Sequence, residues 1–342
     1  MTPLDGYPYT PEDLRALLGA AGFSRNGDVA CERAVSRSDG GVAIVIGAFD
    51  GVHLGHRDLI SACVEDARTR GVPAVVVTFD PDPSELLASQ AHEARLLCVP
   101  DRVRLCRTLG VDDVLVLPFD HDLAARSPRA FLEMLAERLG PLRAVHVGEN
   151  FRFGARGVGN VDTLEALGRE LGFDALSRPL LERGGAVVSS TRIRSLLAQG
   201  KVAEAATLLN RCHFVRGKVA HGRGEGTSFG FPTANVECDL RTCMPAEGVY
   251  ACIVTDGVHA WPAAANVGKP PTFTGERDSF FLEANLIGFE GDLYGSELSV
   301  LFVEWLRASR PFSSLAELEQ VVLGNIDWVR CNIGPAGVEV SS

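Results

Sequence analysis

Two histidines three residues apart, His53 and His56, stand in the run I-G-A-F-D-G-V-H-L-G-H at residues 46–56. The apolar residues 42–46 before it have the length and β-branching of a buried strand. The stretch R-D-L-I-S-A-C-V-E-D-A after it has the apolar spacing of a helix. A strand, a glycine-bearing turn and a helix start make a phosphate-binding arrangement, because the first-turn amides lack intrahelical partners. Gly47, Phe49, Asp50, Gly51 and Gly55 are the candidate phosphate cradle. Two imidazoles on one face of that helix start suit charge developing on a phosphate during in-line displacement.

Three further stretches carry chemistry. The first is V-G-E-N-F-R-F-G at 147–154, in which Asn150 can hydrogen-bond a phosphate or nucleotide; Phe151 fits a core as well as a ligand contact. The second is V-S-S-T-R-I-R at 188–194, where Ser190 and Thr191 offer hydroxyls at a helix start and Arg194 follows one turn later. Ser and Thr cap helices routinely, but a cap needs no arginine, whose planar fork matches phosphate oxygens. The third is H-G-R-G-E-G-T-S-F-G-F-P-T-A-N at 221–235. Its Gly222, Gly224, Gly226 and Gly230 allow close approach of backbone amides to phosphates, yet no G-K-[ST] follows to make a P-loop. Downstream, Glu283 interrupts the otherwise apolar strand-like run F-L-E-A-N-L, and a carboxylate there can accept a hydroxyl proton.

Elements must position these groups. Strands are expected at 42–46, 74–79, 114–117 and 144–147, alternating with helices at 57–70, 100–109, 128–139, 164–171 and 190–199. That alternation predicts a parallel, Rossmann-like α/β sheet with helices on both faces and ligands at the carboxyl ends of its strands. A short helix at 202–209 follows, and the text then changes to short strands and polar turns, predicting a small antiparallel β-barrel or sandwich. A helix from 315, capped by Ser313 or Ser314 with Glu317, closes the chain. Near the start, T-P-E-D at 10–13 reads as a capped helix, an accessory packed on the domain. The expected division is an N-terminal extension at 1–40, an α/β domain at 41–208, a barrel domain at 209–332 and a tail at 333–342.

Bulk properties narrow the classes. The 342 residues exceed one ordinary core, and a formal charge of −11 argues against nucleic-acid or anionic-membrane partners while allowing a local cationic pocket. Nine cysteines without C-x-x-C spacing read as reduced thiols, so neither disulfides nor zinc are expected. With no targeting segment or membrane-length apolar run visible, a cytoplasmic location is expected. Oligomeric state is not legible.

The block F-D-G-V-H-L-G-H resembles the H-x-G-H nucleotidylyltransferases in their prokaryotic FAD-synthetase branch, and G-F-P-T-A-N at 230–235 resembles the riboflavin-kinase signature. The likeness covers about residues 42–330. It implies riboflavin phosphorylation by the barrel and FMN adenylylation to FAD, with loss of pyrophosphate, by the α/β domain; ATP and Mg²⁺ are the implied cofactors. By the same resemblance, His53 and His56 stabilise the α-phosphoryl charge, and Asn150, Ser190, Thr191 and Arg194 hold nucleotide phosphates. Thr233 and Asn235 would bind the metal, and Glu283 would be the general base. Phe79, Pro81, Phe151, Tyr294, Arg307 and Phe312 fall at flavin-pocket positions. Departures stand at Asp82, where the family usually has histidine, at Thr227, and at Lys269-Pro270. Competing readings are a paralogue with one activity or a modified flavin substrate, and a non-catalytic flavin-binding regulator.

Overall fold

A computed structural model describes residues 9–23, 36–87, 93–221, 233–268 and 281–340. The glycines at 222, 224, 226 and 230, Thr227 and Lys269-Pro270 lie outside the described residues. The chain divides into two compact units.

The first unit is an α/β sheet. Its parallel strands are β1 (Val42–Ile46), β2 (Ala74–Asp80), β3 (Asp113–Pro118), β4 (Leu142–Gly148) and β5 (Asp174–Arg178), in the order β3-β2-β1-β4-β5. The helices between them are α2 (Leu54–Arg70), α3 (Pro83–Leu87), α4 (Val99–Arg107), α5 (His121–Ala124), α6 (Pro128–Leu139) and α7 (Val161–Leu171). Val42, Ile44 and Ile46 of β1 join Leu132 and Leu135 of α6 and Leu164 of α7 in one buried core, while α2 packs on β1, β2 and β4. The order reverses between β1 and β4, so the crevice for a ligand opens beyond their carboxyl ends. A short exposed hairpin follows, β6 (Glu182–Arg183) with β7 (Ala186–Val187).

The second unit holds α1 (Pro11–Ala20), α9 (Val202–Leu209), β8 (His213–Ala220), β9 (Ala234–Cys238), β10 (Gly248–Thr255), β11 (His259–Gly268), β12 (Phe281–Leu286), β13 (Glu297–Arg307), α10 (Leu315–Asn332) and β14 (Val338–Glu339). Six of these strands run β10-β13-β8-β9-β12-β11, and β11 pairs back onto β10. The result is a closed antiparallel barrel, which leaves its six strands no free edge. β14 pairs with the start of β11. Helix α8 (Ser190–Leu197) begins where the two units divide. Helix α1 carries the expected Thr10–Asp13 capping box, and Tyr9 N donates to the Ile333 carbonyl at 3.1 Å, which ties this helix to the barrel unit.

His213, at the start of β8, is fully buried; its Nε2 lies 2.7 Å from the Cys243 carbonyl and its Nδ1 has no partner. Burial pushes its pKa down to about 4 from 6.5, outweighing the carbonyl bond. The folded state therefore refuses a proton that the unfolded chain accepts once the pH drops below 6.5. Stability is expected to fall between pH 6.5 and 4, by about 3 kcal/mol from this residue at full effect. Denaturant midpoints measured across that window should show the slope in the parent and a flatter one in His213→Gln.

Candidate active sites

The first site is built on the turn between β1 and α2. Three of its residues, Phe49 (φ 52°), Gly51 (φ 85°) and Val52 (φ 41°), adopt left-handed backbone conformations. For β-branched Val52 this is a strained conformation that surrounding bonds must hold. Val52 N donates to Phe49 O at 3.1 Å, Gly47 N to Val77 O at 3.1 Å, and Ser190 Oγ to Asp50 O at 2.8 Å. The turn leaves no room at Gly47, where a Cβ would sit 2.9 Å from the Phe49 ring. At Gly55 a Cβ would press on the His53 ring at 3.3 Å.

His53 is the N-cap of α2: its Nδ1 accepts from His56 N at 3.4 Å, which places the proton of neutral His53 on Nε2. The two imidazoles stack with centroids 3.6 Å apart, and Phe49 meets His56 edge-on at 5.3 Å. His56 is held well below the usual histidine range, first by burial, then by His53 and Arg102. Burial thus favours the neutral form of the His56 ring, and an arriving polyphosphate favours its protonated form.

Of the other nucleotide and flavin candidates expected in the α/β domain, Phe79, Pro81, Asn150, Phe151 and Ser190 belong to the sheet unit, and Thr191 and Arg194 to the barrel unit. Asn150 is exposed beyond β4. Ser190 spends its hydroxyl on the turn, Thr191 is exposed, and Arg194 Nε donates to the Ala94 carbonyl at 2.7 Å. Phe79 belongs to the buried sheet core, edge-on to Phe119 at 5.6 Å, and Phe151 stacks on Phe153 at 5.3 Å beside that core. Pro81 follows a cis peptide bond after Asp80. Asp82 is engaged locally: its Oδ1 accepts from Ser84 N at 2.9 Å and from Ser84 Oγ at 2.7 Å, holding the start of α3. Its carboxylate therefore has a structural task where histidine was the expected residue.

One residue of this site gave no signal in the sequence. Arg102 of α4 is 1% exposed. Its Nη1 lies within hydrogen-bond distance of Ala48 O at 2.8 Å, Thr78 Oγ1 at 3.0 Å and Phe79 O at 3.0 Å.

The second site lies in the barrel unit, where a cavity of about 460 Å³ opens beside α10. Its wall follows from strand register. Glu283 on β12 stands opposite Asn235 of β9 on one side and Asn266 of β11 on the other. Val249 of β10 pairs with both Asn266 and Arg307 of β13. Directly paired residues share a face, so Arg307, Asn266, Glu283 and Asn235 make one polar row across the barrel. Thr233 and Asn285 lie two residues on, on the same face. Leu318, Val322 and Ile326 of α10 supply the apolar wall. An apolar slot with a few convergent polar groups is what a planar aromatic ligand with a polar tail requires.

Asn235 Oδ1 is buried with no hydrogen-bond partner. A neutral, unsatisfied oxygen beside the carboxylate-bearing strand and one step from Thr233 is a donor set that fits a hard divalent cation. Phe312 at the cavity rim lies between two guanidinium groups, Arg310 at 5.1 Å and Arg307 at 5.5 Å. The cavity thus gathers Thr233, Glu283, Arg307 and Phe312. Tyr294 sits elsewhere, exposed on a turn and 3.9 Å from the His221 ring.

A histidine-capped phosphate turn at the switch of a parallel sheet, with a carboxylate row in a closed barrel, defines a protein with two phosphoryl-group transfer sites. A family model for FAD synthetase matches residues 35–192, and one for riboflavin kinase matches residues 209–331. The chain is 38% identical over 280 residues to the bifunctional riboflavin kinase/FMN adenylyltransferase of Escherichia coli strain K12, covering 82% of this chain and 88% of that one. The corresponding protein of Pseudomonas fluorescens is 35% identical, with coverage of 86% and 94%. A solved structure described as a macrolide-efflux protein from Streptococcus pneumoniae superposes with a TM-score of 0.76 at 29% identity, covering 85% of this chain and 94% of that one. Among the described residues no helix is long and apolar enough to cross a membrane. The chain belongs to the bifunctional riboflavin kinase/FMN adenylyltransferase family.

Proposed function

We propose that this chain phosphorylates riboflavin with ATP in its barrel and adenylylates the resulting FMN in its α/β domain, releasing pyrophosphate. The observation that carries the reading is Glu283, set between Asn235 and Asn266 in the wall of an aromatic-sized cavity. Glu283 accepts the proton of the riboflavin 5′-hydroxyl as that oxygen attacks the γ-phosphorus of ATP, the bond from that phosphorus to the β,γ-bridging oxygen breaks and ADP leaves. Thr233 and Asn235 would hold Mg²⁺, which when bound neutralises phosphate charge. Phe312, Arg307 and the apolar face of α10 orient the flavin.

In the α/β domain the phosphate of FMN attacks the α-phosphorus of ATP, and no covalent enzyme intermediate is required. Positioning and charge stabilisation then carry the step. The stacked His53 and His56 donate hydrogen bonds to the α-phosphoryl oxygens, and the first-turn amides of α2 and Gly51 cradle the chain of phosphates. Asn150 is the further nucleotide contact within this unit. We assign the two activities to residues 41–208 and 209–332. The eight described cysteines are thiols rather than disulfides, several of them deeply buried, which supports a reducing, cytoplasmic setting.

The test is a time course of purified protein with riboflavin, ATP and Mg²⁺, with flavins separated by chromatography. FMN should appear first and FAD follow. FMN without FAD, even when FMN is supplied directly, would remove the adenylyl step from the proposal. No product from either flavin would overturn the enzymatic reading.

A further inference from the structure

Among the described residues Arg102 is the largest fully buried side chain, and its charge has no obvious purpose in a core. Among the described residues no carboxylate is within ion-pair distance of it; the neighbouring Asp101 is taken by Arg104 and by the Cys98 thiol. A buried, unpaired guanidinium is costly and persists where its donors or its charge are needed. Its donors converge on the carboxyl ends of the two central strands. Nη1 reaches Ala48 O in the turn after β1, and Thr78 Oγ1 and Phe79 O at the end of β2. Thr78 Oγ1 also donates to Ala48 O at 2.9 Å, so one carbonyl is held from two sides. That carbonyl immediately precedes Phe49, the first of the residues in left-handed conformation leading to His53.

We infer that Arg102 is a positioning residue for adenylyl transfer: it fixes the Ala48 carbonyl, and through it the strained Phe49–Val52 turn that aims His53 and His56 at the reacting phosphate. The inference rests on the reading of those histidines as the adenylyl site. The positive charge behind the turn adds to burial and to His53 in holding His56 below the usual histidine range. Because Nη1 is held at three oxygens by a planar guanidinium on its own stem, an ammonium on a shorter, more flexible stem is only a partial substitute.

The experiment measures kcat and KM for ATP in FAD formation from supplied FMN, with riboflavin phosphorylation by the same preparation as an internal control. Arg102→Met should lower kcat about 100-fold with KM for ATP changed less than threefold, and kinase activity unchanged. Arg102→Lys should recover only part of the loss, remaining about tenfold below the parent. Thr78→Val, which removes the second tie on the same carbonyl, should cost severalfold in kcat.

Parent-like kcat in Arg102→Met, a rise in KM alone, or full recovery by lysine would each overturn the inference. If the methionine variant no longer melts cooperatively, the lysine and Thr78→Val variants decide, and parent-like kcat in both would overturn it. His56→Ala is run in parallel. Undiminished FAD formation there sinks the site reading itself, whereas its loss together with parent-like Arg102 variants sinks this inference alone.

Discussion

Glu283→Gln is expected to lower FMN formation from riboflavin by about three orders of magnitude while leaving FAD formation from supplied FMN intact. The size is that of losing a positioned general base. The substitution keeps the volume and the hydrogen-bonding outline of the side chain, so Asn235 and Asn266 on either side retain their register. What disappears is the capacity to take the hydroxyl proton as the 5′-oxygen attacks. Riboflavin binding, followed by quenching of its fluorescence, should change little, because the proposed flavin contacts are the cavity-lining Phe312, Arg307 and α10. A drop of less than tenfold would show that the proton leaves by another route and would remove Glu283 from its role.

The second large effect falls on the other reaction. His56→Ala should cut FAD formation by about 100- to 1000-fold and make FMN accumulate as the end product from riboflavin and ATP. That is the range for deleting one preorganised donor to developing charge. The loss should be steep yet confined to the ring. That ring stacks on His53 at 3.6 Å, so its removal also takes away the packing on one face of the neighbouring imidazole. The backbone N–H of His56 is the donor to His53 Nδ1, and that bond survives in the alanine variant, so the helix start itself should stay formed. Chromatography of the flavin products reads both activities at once; FAD made at the parent rate would exclude His56 from the adenylyl step.

Much of this was legible because local chemistry left few alternatives. His53 and His56 could be placed on one face of a helix start from spacing alone, since 3.6 residues per turn bring positions three apart together. The helix itself starts at Leu54 rather than Arg57 as expected, because His53 caps it with a ring nitrogen, a role usually taken by Ser, Thr, Asp or Asn. The terminal helix runs to Asn332, from a Ser314 cap read correctly with Glu317. Strand β5 was missed. As an edge strand with one neighbour it needs no continuous apolar run, and D-A-L-S-R offers none.

The sequence by itself determined the two kinds of fold, their order along the chain, and the residue types able to handle phosphate and hydroxyl protons. Those follow from hydrophobic period, turn chemistry and short spacings, which act within a dozen residues. Only the tertiary structure decided which distant groups meet. Asn266, Glu283 and Asn235 become one row because three strands pair in that register, and the cavity exists because α10, about forty residues after Glu283, lies beside them. Asp82, which in sequence stood as a misplaced acid, turns out to hold the start of α3. Arg102 would pass as a solvent-facing charge on an amphipathic helix. Packing buries it with no carboxylate in ion-pair distance among the described residues and turns its Nη1 to the Ala48 carbonyl, the arrangement from which its bracing role is proposed.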